Sequence, residues 1–235
     1  MPIIISIEGN IGSGKSTLVT ELYKNKSSIN KQEKICFLQE PVDIWNSIKD
    51  KNNETILEKF YKDQQQYAFQ FQMMAYISRL AQLREALCGD YDIIITERCM
   101  MTDKNVFAKM LYDDNKISEI EYNIYNKWFD EFIKDIPQIY IIYLKTSPFI
   151  AFNRIIERNR KGENIEIQYL ESCHNYHESW INNEQKLNIL KGKLEDINLN
   201  YILEIDGNQN FKEDGNIMKD WITKISQFIT NNCLQ

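Results

Sequence analysis

Eight consecutive residues near the start of the chain match G-x-x-x-x-G-K-S/T, the pattern of a phosphate-binding loop: Gly9, Asn10, Ile11, Gly12, Ser13, Gly14, Lys15 and Ser16. Thr17 follows directly and completes the predicted loop. The loop lies between a predicted strand and a helical pattern, which is the context that this motif requires. Its glycines let backbone N–H groups converge on phosphate oxygens. Lys15 would neutralise the transferred group, and the hydroxyl of Ser16 could bind Mg²⁺. The motif therefore predicts a phosphate donor.

The loop alone does not distinguish GTPases, ATP-driven machines and small-molecule kinases. A guanine-selective GTPase usually carries an N-K-x-D segment. Every Asn-Lys pair of this chain lacks that aspartate: Asn25-Lys26, Asn30-Lys31, Asn115-Lys116 and Asn126-Lys127. The sequence therefore argues against a GTPase switch.

A carboxylate follows the second predicted strand. Glu40-Pro41 comes directly after that strand, which places Glu40 at the carboxyl edge of a parallel sheet, near the phosphate loop. An alcohol is a poor nucleophile, and a carboxylate within hydrogen-bond reach can take its proton as it attacks phosphorus. By itself a loop glutamate is more often a solvated charge, so a role as base depends on its neighbours.

The elements that must position these residues include five short apolar runs rich in β-branched residues: Ile3–Ile7, Ile35–Leu38, Ile93–Thr96, Ile139–Leu144 and Tyr201–Ile205. Runs without alternation are typical of strands covered on both faces, and the segments between them are long enough for crossover helices. Helical patterns extend over about Thr55–Leu87 and Glu119–Lys134. The pattern predicts an α/β fold, with a parallel sheet of about five strands, helices on both faces and one domain over residues 1–235.

Composition argues against several classes of function. The net charge is −6, whereas a nucleic-acid-binding protein normally presents a basic face. Five cysteines without C-x-x-C spacing argue against a disulfide framework or a zinc site and favour a reducing compartment. No run approaches the roughly 18 apolar residues of a membrane span, and the first strand leads directly into the phosphate loop. We therefore expect a cytoplasmic protein that binds neither nucleic acid nor membrane.

The segment Glu40-Pro41-Val42-Asp43-Ile44-Trp45 resembles the E-P-V-x-x-W element of the deoxynucleoside kinase family, of the deoxycytidine, deoxyguanosine and deoxyadenosine kinase type. Further segments are similar to this family in order: Phe69-x-Phe71-Gln72, Ser78-Arg79, Glu97-Arg98, Arg154-x-x-x-Arg158-x-Arg160, His177-Glu178-Ser179-Trp180 and Asp206–Phe211. The similarity covers essentially the whole chain. It implies a P-loop kinase fold with an arginine-rich lid at about residues 158–168.

The resemblance also implies roles on the acceptor side. Around the reacting hydroxyl it implies Glu40 as general base, Arg98 near the 5′ oxygen, and a magnesium environment made by Glu97 and Ser16. Five residues would face the nucleobase: Trp45, Gln72, Arg79, Asp103 and Phe107. Two residues resemble the pair that holds the sugar 3′-hydroxyl: Tyr61 and Glu163. The chain departs from the family at Cys99, where serine is usual, and is one residue shorter within 161–168.

On the donor side the resemblance implies an arginine clamp and an adenine site. Arg154, Arg158 and Arg160 match the arginines of the lid, whose planar guanidinium groups would bind the transferring phosphoryl group. Asp206 begins the segment that resembles the adenine site, and Phe211 would be its stacking ring. Without the resemblance, Phe211 is equally well explained as an anchor for the C-terminal helix.

The choice of nucleobase depends on Arg79 and Asp103, which match base-facing positions of deoxycytidine- and deoxyguanosine-type members. An exocyclic amino group would satisfy the carboxylate of Asp103, whereas thymine would present a carbonyl oxygen to it. Arg79 could bind a guanine carbonyl or could hold Asp103 in place. Adenine, guanine and cytosine remain open, with purines slightly ahead, and thymine is disfavoured.

The implied activity is phosphorylation of the 5′-hydroxyl of a deoxyribonucleoside, with ATP as donor and Mg²⁺ as cofactor, by a homodimer formed through long helices, in nucleotide salvage. Two alternatives remain open. A nucleoside monophosphate kinase such as thymidylate kinase shares the loop, sheet and lid, but it needs extra basic groups for the phosphate of its acceptor. A nucleotide-binding subunit without transfer chemistry would not need Glu40, Arg98 and the lid arginines.

Overall fold

The computed structural model describes residues 1–29, 34–160, 163–195, 201–211 and 213–233. Five parallel strands form one sheet in the order β2-β3-β1-β4-β5, with these bounds: β1 (Ile3–Glu8), β2 (Ile35–Leu38), β3 (Ile93–Glu97), β4 (Ile139–Lys145) and β5 (Ile202–Asp206). Each predicted strand is confirmed to within one residue at either end. The predicted parallel α/β fold is therefore confirmed.

Within the described residues, the α-helices around this sheet are α1 (Lys15–Lys24), α2 (Lys26–Ile29), α3 (Val42–Ser47), α4 (Ile56–Lys62), α5 (Gln64–Leu87), α6 (Met100–Thr102), α7 (Lys109–Asp113), α8 (Glu119–Phe132), α9 (Pro148–Arg158), α10 (Ile167–Glu195) and α11 (Gly215–Cys233). α1 and α11 pack on one face of the sheet. α5 and α8 cover the other face. The predicted arrangement of helices on both faces is thus confirmed.

The central strand β1 contributes to two buried layers. Ile5 packs with Leu18 of α1 and Trp221 of α11. Ile4 belongs to the opposite layer, together with Tyr76 of α5. Each fully buried isoleucine contributes about 1.5–3 kcal/mol to stability. Burial on both faces therefore fixes the strand from which the phosphate loop begins.

The helix predicted over about Thr55–Leu87 is wrong as a single element, because the chain divides at Asp63. Asp63 has φ −147°, which ends α4, and its side chain accepts a hydrogen bond from the backbone N–H of Gln66 at 3.1 Å. Asp63 thus caps α5 instead of continuing α4. The helix predicted over Glu119–Lys134 is confirmed as α8, which ends two residues earlier.

A π-helix over Asp103–Ala108 lies between α6 and α7. Such wide turns are rare and often occur at functional sites. Asp103 and Phe107 both lie in this segment, and both are buried. The π-helix contacts α5, α8 and α10. Its wider turn is therefore packed between other helices and is not exposed on a surface loop.

No helix in the described ranges is long and apolar enough to cross a membrane. The cysteines whose side chains are described are free thiols: Cys36, Cys88, Cys99 and Cys173. Burial, and next the negative charge of Glu8, raise the pKa of the Cys99 thiol. Cys99 is therefore a neutral buried side chain where the family usually has serine.

Candidate active site

The phosphate loop leaves the carboxyl end of β1 and enters α1. Gly14 precedes α1 with φ 103°, in the left-handed region that favours glycine. Gly12 has φ 78°, and a Cβ atom at this position would lie 2.5 Å from the carbonyl oxygen of Ala151 in α9. The loop and α9 therefore touch at a point where no other residue fits.

Lys15 is the buried cation of this loop. Its Nζ donates to the carbonyl oxygen of Asn10 at 2.7 Å. Burial, and next the positive charge of Arg98, lower the pKa of Lys15 to about 7. The side-chain amide of Asn10 donates to the carbonyl oxygen of Leu170 in α10 at 2.8 Å. The loop thus holds Lys15 where a phosphate group would supply a compensating negative charge.

Glu40 and two arginines meet where β2 and β3 end. Arg98 Nη1 donates to Oε1 of Glu40, and Arg79 Nη2 lies 3.3 Å from the same oxygen. Burial opposes ionisation of Glu40, but the positive charges of Arg98 and Arg79 outweigh it and lower the pKa of Glu40 to about 2. The carboxylate is therefore ionised at neutral pH and lies in the same cavity as Lys15.

Ser16 and Glu97 form an oxygen pair beside the loop. Ser16 Oγ donates to Oε1 of Glu97 at 2.8 Å. Burial, and next the negative charge of Glu40, raise the pKa of Glu97. A bound cation would offset both effects, and hydroxyl and carboxylate oxygens are the ligands that Mg²⁺ prefers. These residues therefore fit the predicted magnesium environment.

An aromatic slot forms the acceptor side of the cavity. Trp45 Nε1 donates to Ser78 Oγ at 2.9 Å, which fixes the indole against α5. Phe107 lies under the guanidinium of Arg98, 5.1 Å from ring centroid to Cζ. Gln72 is 2% exposed, and its Oε1 has no hydrogen-bond partner within the described residues. The slot thus offers flat apolar surfaces and an unpaired amide oxygen to a planar ligand.

Arg79 is held by three acceptors. Its Nε donates to Oδ2 of Asp103 at 3.0 Å, and its Nη1 donates to the backbone oxygen of Glu97 at 2.8 Å. Its Nη2 reaches Glu40. Burial raises the pKa of Asp103, whereas the charge of Arg79 lowers it. Of the two roles considered from the sequence, this arrangement corresponds to an Arg79 that holds Asp103 in place.

Tyr61 and Glu163 border the same cavity. Burial, and next the negative charge of Glu163, raise the pKa of Tyr61 well above its usual range, so Tyr61 remains a hydrogen-bond donor. Oε2 of Glu163 accepts a hydrogen bond from Arg158 Nη2 at 2.5 Å. Glu163, which was predicted to bind the sugar 3′-hydroxyl, is thus paired with Arg158, which was predicted to belong to the lid. The lid residues 161 and 162 lie outside the described residues.

Arg154 joins two segments of the donor side. It donates to the carbonyl oxygens of Ser13 and Gln209 at 3.0 and 3.1 Å, and its guanidinium lies over the ring of Phe211. That ring also packs against Trp221 of α11, with centroids 5.5 Å apart. Phe211 therefore borders the cavity and also anchors the C-terminal helix.

One cavity of about 990 Å³ connects these groups. Four predicted site residues do not border it: Gly9, Asn10, Ser13 and Asp206. Every other predicted site residue does, including Thr17 and Arg160. Asp206 instead accepts a hydrogen bond from the backbone N–H of Asn208 at 3.0 Å, which shapes the turn after β5.

The residues of this region that sequence reasoning missed include Tyr169 and Glu8. Tyr169, in the first turn of α10, borders the cavity. Glu8, at the end of β1, is completely buried behind it. The sequence signal for Glu8 is an acidic residue that ends an otherwise apolar strand directly before the phosphate loop. For Tyr169 the sequence offers no comparable signal.

Comparisons with known proteins identify the family of this sequence. A family model described as deoxynucleoside kinase matches residues 5–230. A probable deoxycytidine kinase of Fowlpox virus (strain NVSL) is 38% identical, over 96% of this chain and 88% of its own length. Deoxycytidine kinase 2 of Gallus gallus is 32% identical, over 97% and 90%. Deoxycytidine kinase of Homo sapiens is 30% identical, over 96% and 90%.

The family match spans nearly the whole described sheet and both sides of the cavity. It confirms the resemblance drawn from the segments around Glu40 and the lid arginines. It also supports a nucleotide-binding phosphotransferase in place of a GTPase switch. The chain belongs to the deoxynucleoside kinase family and is a kinase with the P-loop fold of that family.

Proposed function

We propose that this enzyme transfers the γ-phosphoryl group of ATP to the 5′-hydroxyl of a deoxyribonucleoside and yields the 5′-monophosphate. The observation that carries the proposal is the pair formed by Glu40 and Arg98, in the same cavity as Lys15 and the aromatic slot. A hydroxyl acceptor benefits from a nearby carboxylate, whereas a phosphorylated acceptor needs cations there instead. Glu40 therefore favours a nucleoside over a nucleoside monophosphate.

In this reaction Glu40 orients the 5′-hydroxyl and receives its proton. The hydroxyl oxygen forms a bond to the γ-phosphorus, the bond from that phosphorus to the β–γ bridging oxygen breaks, and ADP leaves with the electron pair. With a pKa of about 2, Glu40 is a weak base. It takes the proton only once bond formation has made the hydroxyl acidic, so much of its contribution is orientation.

The cations of the cavity divide into two groups. Lys15, Arg158 and Arg160 border the donor side and would bind phosphate oxygens, where negative charge accumulates during transfer. Arg154 is already engaged by two backbone carbonyl oxygens. Its expected role is to hold the phosphate loop against the segment that ends at Phe211, and thereby to shape the site for adenine.

Ser16 and Glu97 are the residues that would hold Mg²⁺. When bound, the ion would neutralise charge on the phosphate oxygens of the donor. Within the described residues no group of three or more His, Cys, Asp or Glu side chains could bind a metal by itself. Two protein ligands are compatible with Mg²⁺, because this ion usually keeps several water ligands and binds phosphate oxygens at its other coordination positions.

The base pocket favours a nucleobase with an exocyclic amino group. Asp103 is 1% exposed and presents a carboxylate that is already paired with Arg79. An amino group would add a donor, whereas the carbonyl oxygen of thymine would leave two acceptors facing each other. We put deoxycytidine first among the candidates, supported by relatives that are named deoxycytidine kinases, and purine deoxynucleosides next. Nucleotide salvage is the role that this reaction would serve.

A homodimer through α5 and α8 is part of the proposal. Three apolar residues of α8 are exposed at a spacing of four: Ile120 (74%), Ile124 (43%) and Trp128 (49%). Ile77 of α5, a helix that packs against α8, is 48% exposed. Grouped apolar side chains of this kind usually mark an interface.

The test is ATP-dependent phosphorylation of deoxycytidine, deoxyadenosine, deoxyguanosine, thymidine and the corresponding monophosphates, with Mg²⁺ present. We expect products from the amino-bearing nucleosides and little from thymidine or any monophosphate. Products from monophosphates alone would replace this function by a monophosphate kinase activity. Binding of ATP and nucleoside without any product would instead indicate a subunit that has lost transfer chemistry.

A further inference from the structure

Arg98 has a backbone conformation that non-glycine residues rarely adopt. It follows β3 directly and has φ 61°, in the left-handed region. Its side chain is buried and donates to Glu40 and, at 3.2 Å, to the carbonyl oxygen of Gly9. A left-handed turn at this point redirects the chain after the strand. The direction of the guanidinium therefore depends on a turn that the surroundings must hold.

Three hydrogen bonds surround this turn. The backbone N–H of Arg98 donates to the carbonyl oxygen of Ile7 at 3.0 Å. Thr96 Oγ1 donates to the carbonyl oxygen of Arg98 at 2.9 Å. The next backbone N–H, that of Cys99, donates to Oε1 of Glu8 at 3.0 Å. The turn is thus held on both sides of the strained residue, and one of its supports is a side-chain carboxyl group.

Both oxygens of the Glu8 carboxyl group are engaged. Oε1 accepts from Cys99 and from the hydroxyl of Ser6, and Oε2 accepts from Thr102 Oγ1 at 2.5 Å. Two of these three donors lie in the segment directly after Arg98. Glu8 is completely buried, and no salt bridge to it occurs within the described residues. Its contacts are thus hydrogen bonds that tie the end of β1 to the start of α6.

We propose that Glu8 is a positioning residue of the phosphoryl transfer: it holds the left-handed turn and so places the guanidinium of Arg98 on Glu40. This inference rests on the roles proposed above for Arg98 and Glu40. Glu8 does not border the cavity, so we expect it to contact neither substrate. The hydrogen bonds of Glu8 reach the reaction through the backbone of Cys99 and the side chain of Thr102, and its charge also acts on Arg98, whose pKa it raises.

The test compares Glu8→Leu and Glu8→Gln in single-turnover phosphoryl transfer, with both substrates saturating. We expect Glu8→Leu to slow transfer about 30-fold, because small misplacements of catalytic groups cost up to about 100-fold. Glu8→Gln should lose less than about fivefold, because its amide oxygen still accepts from Cys99. Dissociation constants for ATP and nucleoside should stay within about threefold of the wild type, because the residue acts on transfer and not on binding.

A double-mutant cycle separates positioning from a general structural effect. If Glu8 acts through Arg98, then Glu8→Leu added to Arg98→Ala should slow transfer by less than about threefold further. An equal slowing of transfer by Glu8→Leu in the wild-type and Arg98→Ala backgrounds would overturn the proposal. A lower melting temperature of Glu8→Leu with an unchanged transfer rate would also overturn it. Ser6→Ala is the matched control: it removes one hydrogen bond to Glu8 from outside the turn and should stay within about twofold.

A second variant keeps the test informative if Glu8→Leu does not fold. Thr102→Val removes only the contact to Oε2 and keeps the side-chain shape, and it should slow transfer about three- to tenfold. An unchanged rate in Thr102→Val would contradict the proposal. If Arg98→Ala and Glu40→Gln transfer phosphate at the wild-type rate, the roles proposed for Arg98 and Glu40 are wrong. That result differs from a failure of the Glu8 proposal alone, in which Arg98→Ala and Glu40→Gln are slow but Thr102→Val is not.

Discussion

Arg98 and Glu40 form a largely buried ion pair in which Nη1 of the arginine donates to Oε1 of the carboxylate. Arg79 approaches the same oxygen, at 3.3 Å. Both hydrogen bonds found for the side chain of Glu40 within the described residues therefore go to one oxygen. Under the proposed mechanism, the other oxygen, Oε2, would accept from the hydroxyl of the acceptor. The arginines would then hold the carboxylate without occupying that atom.

Glu40→Gln should remove most of the transfer activity. A neutral amide cannot accept the proton of the hydroxyl, so kcat should fall by about 10²–10⁴-fold. The Michaelis constant for the nucleoside should change only a few-fold, because the aromatic slot remains. Steady-state kinetics with deoxycytidine would measure both. Glu21→Gln is the matched control, because Glu21 is a partly exposed acid of α1 that does not border the cavity. A similar loss in both variants would contradict the role of Glu40.

Asp103→Asn should reduce discrimination against thymidine. An asparagine can donate to the carbonyl oxygen of thymine, which the carboxylate of Asp103 cannot do. The ratio of kcat/KM for deoxycytidine to that for thymidine should fall by about tenfold or more, because each such hydrogen bond contributes about 1–3 kcal/mol. Competition assays with both nucleosides would measure the ratio. An unchanged ratio would show that base choice is made elsewhere.

His177 should make the protein less stable in mild acid. The imidazole is completely buried, and its Nδ1 lies 2.7 Å from the carbonyl oxygen of Cys173. Burial, and next the charge of Arg98, lower the pKa of His177 to about 3, from 6.5 in an exposed histidine. Below pH 6.5 the unfolded chain therefore binds a proton that the folded chain does not bind. This favours unfolding as the pH falls.

The expected loss from His177 is about 2 kcal/mol in the free energy of unfolding between pH 7.5 and 5. Urea unfolding at both pH values would measure it. His177→Phe keeps a ring beside Tyr143 and Phe107 but has no titrating group, so this part of the pH dependence should disappear. The same pH dependence in His177→Phe would contradict the prediction.

Charges placed on the exposed face of α8 should prevent dimer formation. Ile124→Glu and Trp128→Glu would each bury a carboxylate in an apolar interface, which is costly without a partner. Light scattering after size exclusion should give a mass near 28.0 kDa for the double variant and twice that mass for the wild type. Ile156→Glu is the control and should remain dimeric, because Ile156 is an exposed isoleucine of α9 and lies outside the proposed interface. A monomeric wild type would refute the dimer.

The strands and the phosphate loop could be predicted because their signals are local. Ile3–Ile7 and Ile93–Thr96 are apolar without alternation, and only strands buried on both faces need such runs. The break at Asp63 was missed because the residues around it are compatible with a continuous helix, and only the capping contact to Gln66 shows where α5 begins. Local sequence thus predicts elements better than it predicts their ends.

For the candidate site, too, the sequence predicted some features and not others. Many residues that border the cavity, including those of the phosphate loop, were found from motifs. Tyr169 and the contacts between the site residues were not. The pairing of Arg158 with Glu163 depends on how two segments meet in space, and no spacing in the sequence encodes it. The π-helix around Asp103 likewise has a hydrogen-bond register that depends on tertiary packing and not on the local sequence. Glu8 was missed because its partners lie about 90 residues away.

The contact between Gly12 and Ala151 has a consequence for motion. Backbone touches backbone there, so the middle of α9 cannot slide toward the phosphate loop, and Ile155 one turn later is also within contact of the loop. The two rigid parts should move together on any timescale shorter than unfolding. Asn159, with φ 46°, ends α9. We therefore expect any movement of the predicted lid to begin at Asn159, so that Arg160 would move while Arg154 stays bound to the phosphate loop.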